Sequence, residues 1–252
     1  MQHALAIFDT GAATHVGRVR ERNEDCHLAR PEAGIWAVAD GMGGHSDGDV
    51  ASRTLIRALA SIERPASAAA LLDLLEDCVT KANARLRELG NERGEVVGTT
   101  LAVLLAFDDY YACVWSGDSR IYLVREGEIV QLTRDHTEVE ELLAEGSITV
   151  EEAKTWAGRN VVTRAIGVFD MPELEMTSGA LCPGDSFVIC SDGLTNHVRA
   201  DEILGSVSAN LSQQACDELI ALTLERGALD NVTVVIARYQ PGHTPRLGEA
   251  AE

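Results

Sequence analysis

Positive charge is what this chain has least of. Lys and Arg together number 21 against 40 Asp and Glu, a net charge of −19 over 252 residues. So acidic a surface repels nucleic acid and anionic membranes, and neither is an expected partner. An anionic substrate must be drawn in locally, by cations or by a placed arginine. Paired cysteines are lacking too: Cys26, Cys78, Cys113, Cys182, Cys190 and Cys216 form no C-x-x-C pair and no zinc spacing. Most lie in apolar stretches, so buried free thiols and a reducing compartment are expected. No apolar run approaches the ~18–20 residues that span a bilayer. Residues 1–15 lack a basic region followed by an apolar core. The expectation is a soluble, cytoplasmic protein.

There is no fixed repeat, and no Gly/Ser linker divides the chain. What is present is ample core material, 46% apolar residues. Runs rich in Val, Ile, Leu, Tyr and Trp read as strands at 4–10, 26–30, 35–40, 100–107, 110–117, 120–125, 128–132, 174–180, 186–191 and 232–239. Apolar residues recur at helical spacing over 49–62 and 67–89, the second closed by Gly90. Two further helices are expected at 200–208 and 212–226. Residues 134–165 form a polar, Glu-rich, helix-prone insert, and 241–252 a tail expected to be disordered. The stretches 114–124 and 120–132 read as hairpins, which favours antiparallel sheets in a layered α+β domain over residues 1–240.

Four aspartates stand where such runs meet tight turns. Asp40, Asp118 and Asp192 close strands, and Asp230 opens one. In an antiparallel sheet neighbouring strands start and stop at one edge, so the four carboxylates are expected to converge. Four such charges together repel, and hard divalent cations relieve them. Glycine after Asp40 lets a backbone carbonyl approach an ion, so Asp40-Gly41 can offer two oxygens. Arg20 lies four and five residues before Glu24 and Asp25. It reads either as part of a solvated charged turn or as a bidentate clamp on a phosphate, with Glu24 and Asp25 reaching the metals through water.

Six motifs occur in order: Arg20-x-x-Asn23-Glu24-Asp25, Asp40-Gly41-Met42-Gly43-Gly44-His45, Gly98-Thr99-Thr100, Gly117-Asp118-Ser119-Arg120, Ser191-Asp192-Gly193-Leu194 and Asp230-Asn231-x-Thr233. Across roughly Thr10 to Arg238 the chain resembles the bacterial metal-dependent (type 2C) protein serine/threonine phosphatases. The resemblance implies a four-layer α-β-β-α sandwich, two stacked antiparallel sheets flanked by antiparallel helices. It implies two Mn²⁺ or Mg²⁺ ions bridged by Asp40 and held further by the Gly41 carbonyl, Asp192 and Asp230. Asp118 and Asp192 would hold a third, weaker ion. Arg20 becomes the phosphate-binding arginine, Glu24, Asp25 and Asn231 reach the metals through water, and 134–165 is a flap beside the site. Two ions about 3.5–4 Å apart would share a hydroxide that attacks phosphorus directly, with no phosphoenzyme.

Some positions depart from the family. Asp49 replaces a frequent Glu, Thr155-Trp156-Ala157 replaces an expected His-Pro, and Met42 stands where animal relatives carry a proposed general-acid His. His45 is the nearest alternative, as a proton donor or as a structural imidazole. A cysteine-based phosphatase is excluded because Cys113 and Arg120 stand one residue too far apart, and a P-loop enzyme because no G-x-x-x-x-G-K-[ST] loop exists. The competing class is a catalytically inactive, phosphoprotein-binding relative, which would be expected to have lost an aspartate. The resemblance further implies a cognate bacterial serine/threonine kinase and phosphoprotein substrates, with secretion-system kinases the nearest match, and the absence of a symmetric apolar patch suggests a monomer.

Overall fold

The computed structural model describes residues 7–43 and 47–240. In chain order the elements are β1 (Ile7–His15), β2 (Asp25–Arg30), β3 (Ile35–Gly43), α1 (Gly48–Ala60), α2 (Ala68–Arg93), β4 (Val97–Thr99), β5 (Leu101–Phe107), β6 (Tyr110–Ser116), β7 (Arg120–Arg125) and β8 (Glu128–Gln131). They continue with α3 (Glu138–Ala144), α4 (Val150–Ala153), β9 (Glu175–Ala180), β10 (Ser186–Cys190), α5 (Asp192–Thr195), α6 (Ala200–Ala209), α7 (Ser212–Glu225) and β11 (Val232–Gln240). A five-stranded sheet has the order β1-β11-β10-β7-β8. A six-stranded sheet has the order β2-β3-β5-β6-β9, with β4 paired to β3. The pairings are antiparallel throughout, as expected.

Period-two alternation sends successive strand residues to opposite faces, and the central strands β3, β5, β10 and β11 are apolar on both. In β3, Trp36 and Val38 face the other sheet, where they meet Phe8, Phe187, Ile189 and Val235. Ile35, Ala37 and Ala39 face outward onto Leu55 and Leu59 of α1 and Leu71, Leu75 and Val79 of α2. The five-stranded sheet does the same. Tyr122, Val188, Val234 and Ile236 pack on Ile203 and Val207 of α6 and Ala215 and Leu219 of α7. Three buried layers therefore hold four layers of structure, the sandwich that the resemblance implied. Trp36 also ties the sheets by a polar contact, its indole N–H donating to Thr10 Oγ1 at 3.2 Å.

Several expectations need correction. The stretch 114–124 is no hairpin, because β6 belongs to the six-stranded sheet and β7 to the five-stranded one. Gly117, at φ +110°, turns the chain across the gap, and a Cβ there would lie 2.7 Å from the Thr100 side chain. The β7–β8 hairpin is present. Helix α2 runs past Gly90 to Arg93 and stops at Gly94, the residue in the left-handed conformation (φ +69°) that a C-terminal stop requires. Gly90 instead lets the returning chain pass, since a Cβ would sit 2.7 Å from the Glu95 carbonyl oxygen. Strand β1 continues to His15 through a small-residue stretch, drawn into register by β11. The glycine-rich end of β3 and the short β4 pair with each other, Gly41 opposite Thr99. The described insert holds two short helices, α3 and α4. His45 and the tail 241–252 lie outside the described residues.

Asn83, buried on α2, binds the segment that follows the insert. Its Oδ1 accepts from Gly167 N–H at 2.7 Å, and its Nδ2 donates to the carbonyls of Phe169 and Asp170 at 3.0 and 3.3 Å. Asn83→Ala leaves those buried groups unpaired and is expected to lower stability by about 1–3 kcal/mol, read from urea unfolding.

Candidate metal centre

The strand ends deliver Asp40, Asp118, Asp192 and Asp230 to one cleft of ≈ 410 Å³ between the two sheets, lined also by Arg20, Glu24, Gly41 and Asn231. Asp40 and Gly41 come from β3 in the six-stranded sheet. Asp192 follows β10 and Asp230 precedes β11 in the five-stranded sheet, and Asp118 lies in the turn between the sheets. The expected convergence is therefore present.

Asp40 is fixed through its backbone. Its N–H donates to Thr100 Oγ1 at 3.0 Å, and its carbonyl accepts from Thr100 N–H at 2.8 Å and from the Thr99 hydroxyl at 3.0 Å. Thr100 Oγ1 shares a 2.7 Å hydrogen bond with Ser119 Oγ, which ties the Asp118 turn to the Asp40 strand. Gly41 N–H donates to the Glu24 carbonyl at 3.1 Å. A Cβ on Gly41 would fall 1.9 Å from the Gly48 carbonyl oxygen, so only glycine brings the start of α1 this close. Among the described residues no hydrogen-bond donor reaches the Asp40 carboxylate.

Behind Asp40 sits Asp25, its register partner in β2. Asp25 does not line the cleft. Its Oδ2 accepts from Ser191 Oγ at 2.7 Å, while its Oδ1 is buried with no partner. Ser191 in turn accepts from Thr233 N–H at 3.0 Å, linking β10, β11 and β2 at one point. Asn231, expected to reach the metals through water, spends its side chain on the Arg20 loop. Its Oδ1 accepts from Glu24 N–H, and its Nδ2 donates to the Val16 and Arg22 carbonyls, each at 2.8 Å. Arg20 donates to Asp230 Oδ2 at 2.8 Å, with its side chain 54% exposed. Asn160 and Val162 of the insert also line the cleft. The braces Thr100, Ser119 and Ser191 escaped the sequence reading of roles, although all three lie inside the quoted motifs.

Crowding shows in the electrostatics. Burial, followed by the neighbouring Asp25 and Asp192 charges, holds the Asp40 carboxyl well above the ordinary range. Burial also pushes Asp118 up to about 7, with Asp192 adding to it, and Asp25 up to about 6 against the Ser191 and Thr233 hydrogen bonds. Asp192 is raised by burial and by Asp230. Among the described residues Arg20 is the one cation lining this cleft. The donor set is oxygen only, negatively charged and short of hydrogen-bond donors, which fits hard Mg²⁺ or Mn²⁺ and not thiolate-seeking ions. Among the described residues no three His, Cys, Asp or Glu side chains are placed to hold a metal ion by themselves, so an ion here would need water as further ligands.

A raised carboxyl favours the protonated folded state, so its contribution to stability is full below pH 3.8 and lost as pH rises through about 7 for Asp118. Asp118→Asn, measured in chelator, is therefore expected to be more stable than the unaltered chain at pH 8, by up to about 4 kcal/mol. The gap should close toward pH 5, and thermal unfolding at the two pH values checks it.

Known proteins resemble this chain in sequence and fold. The sequence profile described as "Protein phosphatase 2C" matches residues 11–232. The serine/threonine protein phosphatase PstP of Mycobacterium tuberculosis is 36% identical over 239 residues, covering 94% of this chain and 46% of PstP. A putative protein phosphatase 2C-type of Streptococcus pyogenes is 35% identical, covering 90% of this chain and 96% of that protein. The chain thus spans about half the length of PstP and nearly all of the streptococcal relative. Among solved structures, PppA, described as a key regulatory component of T6SS in Pseudomonas aeruginosa, superposes with a TM-score of 0.87 at 38% identity, covering 93% of this chain and 99% of PppA. The catalytic domain of PstP, in complex with two manganese ions, superposes at 0.84 and 36% identity, covering 93% and 99%. With the ordered motifs found at one cleft and the sandwich shared with these structures, the chain belongs to the protein phosphatase 2C family.

Proposed function

We propose that this chain is a metal-dependent phosphatase that hydrolyses phosphoserine and phosphothreonine in proteins. The observation that carries the reading is the single cleft in which four aspartates from both sheets meet Arg20. Asp40, the Gly41 carbonyl, Asp192 and Asp230 are the groups to hold two Mn²⁺ or Mg²⁺ ions, and Asp118 with Asp192 a third, weaker one. Glu24, which lines the cleft, acts through water, and Asp25 backs Asp40 from behind it. When bound, such cations supply an acidified water as nucleophile and offset the negative charge of the phosphoryl oxygens.

The remaining work falls to the chain itself. A guanidinium carries five N–H donors, and Arg20 commits one nitrogen to Asp230. Its other donors serve the phosphate oxygens, and the Asp230 contact fixes the group beside the cations. Met42, in the cleft, has no titratable proton and takes no part in protonating the leaving oxygen. No cysteine lines the cleft, and burial pushes Cys113 and Cys190 up to about 12. Residues 1–240 act as one catalytic unit with 134–165 as its flap, a monomer in the cytoplasm. No described helix is long and apolar enough to cross a membrane. Its substrates are phosphoproteins made by a cognate serine/threonine kinase, and the likeness to PppA, a regulatory component of T6SS, supports a link to a secretion apparatus.

Hydrolysis of a phosphothreonine peptide with added Mn²⁺, then with excess chelator, tests the reading. Metal-dependent release that chelator removes is the expected result. Folded protein that releases nothing with any divalent ion would overturn it in favour of a phosphoprotein-binding role. Asp192→Asn should lower turnover by roughly 10²–10³-fold while the fold persists. Arg20→Ala should raise KM for the peptide by roughly ten- to a hundredfold, the worth of a charge-assisted hydrogen bond, with little change in Mn²⁺ binding by calorimetry.

A further inference from the structure

We propose that His136 is a positioning residue that locks the flap to the Asp118 corner, so that the two move as one unit. The inference deepens the phosphatase reading, and its activity arm rests on it. His136 is 4% exposed and does not line the cleft, so it touches no substrate there. It joins three segments instead. Its Nδ1 accepts from Gly117 N–H at 3.1 Å, and its own N–H donates to the Gly117 carbonyl at 3.0 Å. Its carbonyl accepts from Thr163 N–H at 2.9 Å, on the returning arm of the flap. Gly117 directly precedes Asp118, and Thr163 directly follows Val162, which lines the cleft together with Asn160.

The neighbours hold the ring in this pose. It stacks on Trp115 with centroids 6.1 Å apart, and the Trp115 indole N–H donates to the Arg134 carbonyl at 2.8 Å. Burial and the Arg164 charge keep the imidazole below its usual pKa, hence neutral, and accepting at Nδ1 puts the proton on Nε2. Nε2 lies 3.2 Å from Glu175 Oε1 but out of hydrogen-bonding alignment, so the Gly117 contact sets the ring. Below it, Thr137 bridges Val162, and Glu138 N–H donates to the Val161 carbonyl at 2.9 Å, closing the two arms on each other. A displacement of the flap is therefore transmitted to Gly117, and from there to Asp118.

The test exploits side-chain length. The Oδ1 of an asparagine overlays imidazole Nδ1 and keeps the Gly117 bond, whereas the terminal amide of a glutamine overlays Nε2 and loses it. Hydrogen exchange on the full chain is compared for His136→Asn and His136→Gln. In His136→Gln, exchange should quicken at least threefold in peptides covering both 117–120 and 160–163, and His136→Asn should restore both. With Mn²⁺, His136→Gln should raise both the half-saturating Mn²⁺ concentration and the KM for a phosphothreonine peptide, and His136→Asn should reverse both. Quickening confined to the flap, or an asparagine that behaves like glutamine, overturns the proposal. If His136→Gln does not fold, the unaltered chain decides, because the Gly117 and Thr163 amides must then share one opening rate and two separate rates refute the lock. If the unaltered chain hydrolyses nothing, the phosphatase reading fails while the exchange comparison still judges His136.

Discussion

The burial of several carboxylates beside one another is the constraint on which the rest of the structure depends. Asp25, Asp40, Asp118 and Asp192 all have their proton affinities raised, with burial the leading cause in each. Left to side-chain preferences such groups would turn to water, because burying a charge without a partner is costly. They stay because the backbone beneath them has no freedom to let them go. Thr99 and Thr100 grip the Asp40 peptide units, Ser191 joins three strands below, and Asn231 fastens the loop that carries Arg20. The three apolar layers supply the driving force, and the polar braces decide where the charge ends up.

That division of labour explains what the sequence made legible. The strand runs were readable because the inner and outer faces of both sheets are apolar, and the four aspartates because each interrupts such a run at a turn. The helices over α1, α2, α6 and α7 followed from their spacing. Failures arose where a distant partner overruled local preference. The small residues of β1 beyond Thr10 carry no strand signal, but β11 supplies a complete register for them. Gly90 looks like a stop in isolation and proves to be clearance for the chain at Glu95. The β6–β7 stretch has the turn chemistry of a hairpin, and nothing local says that its two strands join different sheets.

The site was more legible in its members than in their duties. Every described candidate falls in or behind the cleft, because the motifs mark the turns. Asn231 could not be separated by type from a residue that reaches an ion through water. Only its three hydrogen bonds to backbone, at positions far apart in sequence, show it to be a fastener of the Arg20 loop. His136 could be placed in the flap but given no duty for the same reason, since its partners at Gly117 and Thr163 are brought together by the fold alone.

The crossing of the chain at Gly117 carries a consequence for the mechanics of the molecule. Asp40 belongs to one sheet, and Asp192 and Asp230 to the other, so the cleft straddles a seam. A cation held from both banks would act as a rivet through the sandwich, and its affinity would become a gauge of how the two sheets sit on each other. The packing of Trp36 against Phe8, far along the strands from the aspartates, then belongs to the same spring: slide one sheet by a fraction of a residue and the rivet holes no longer align.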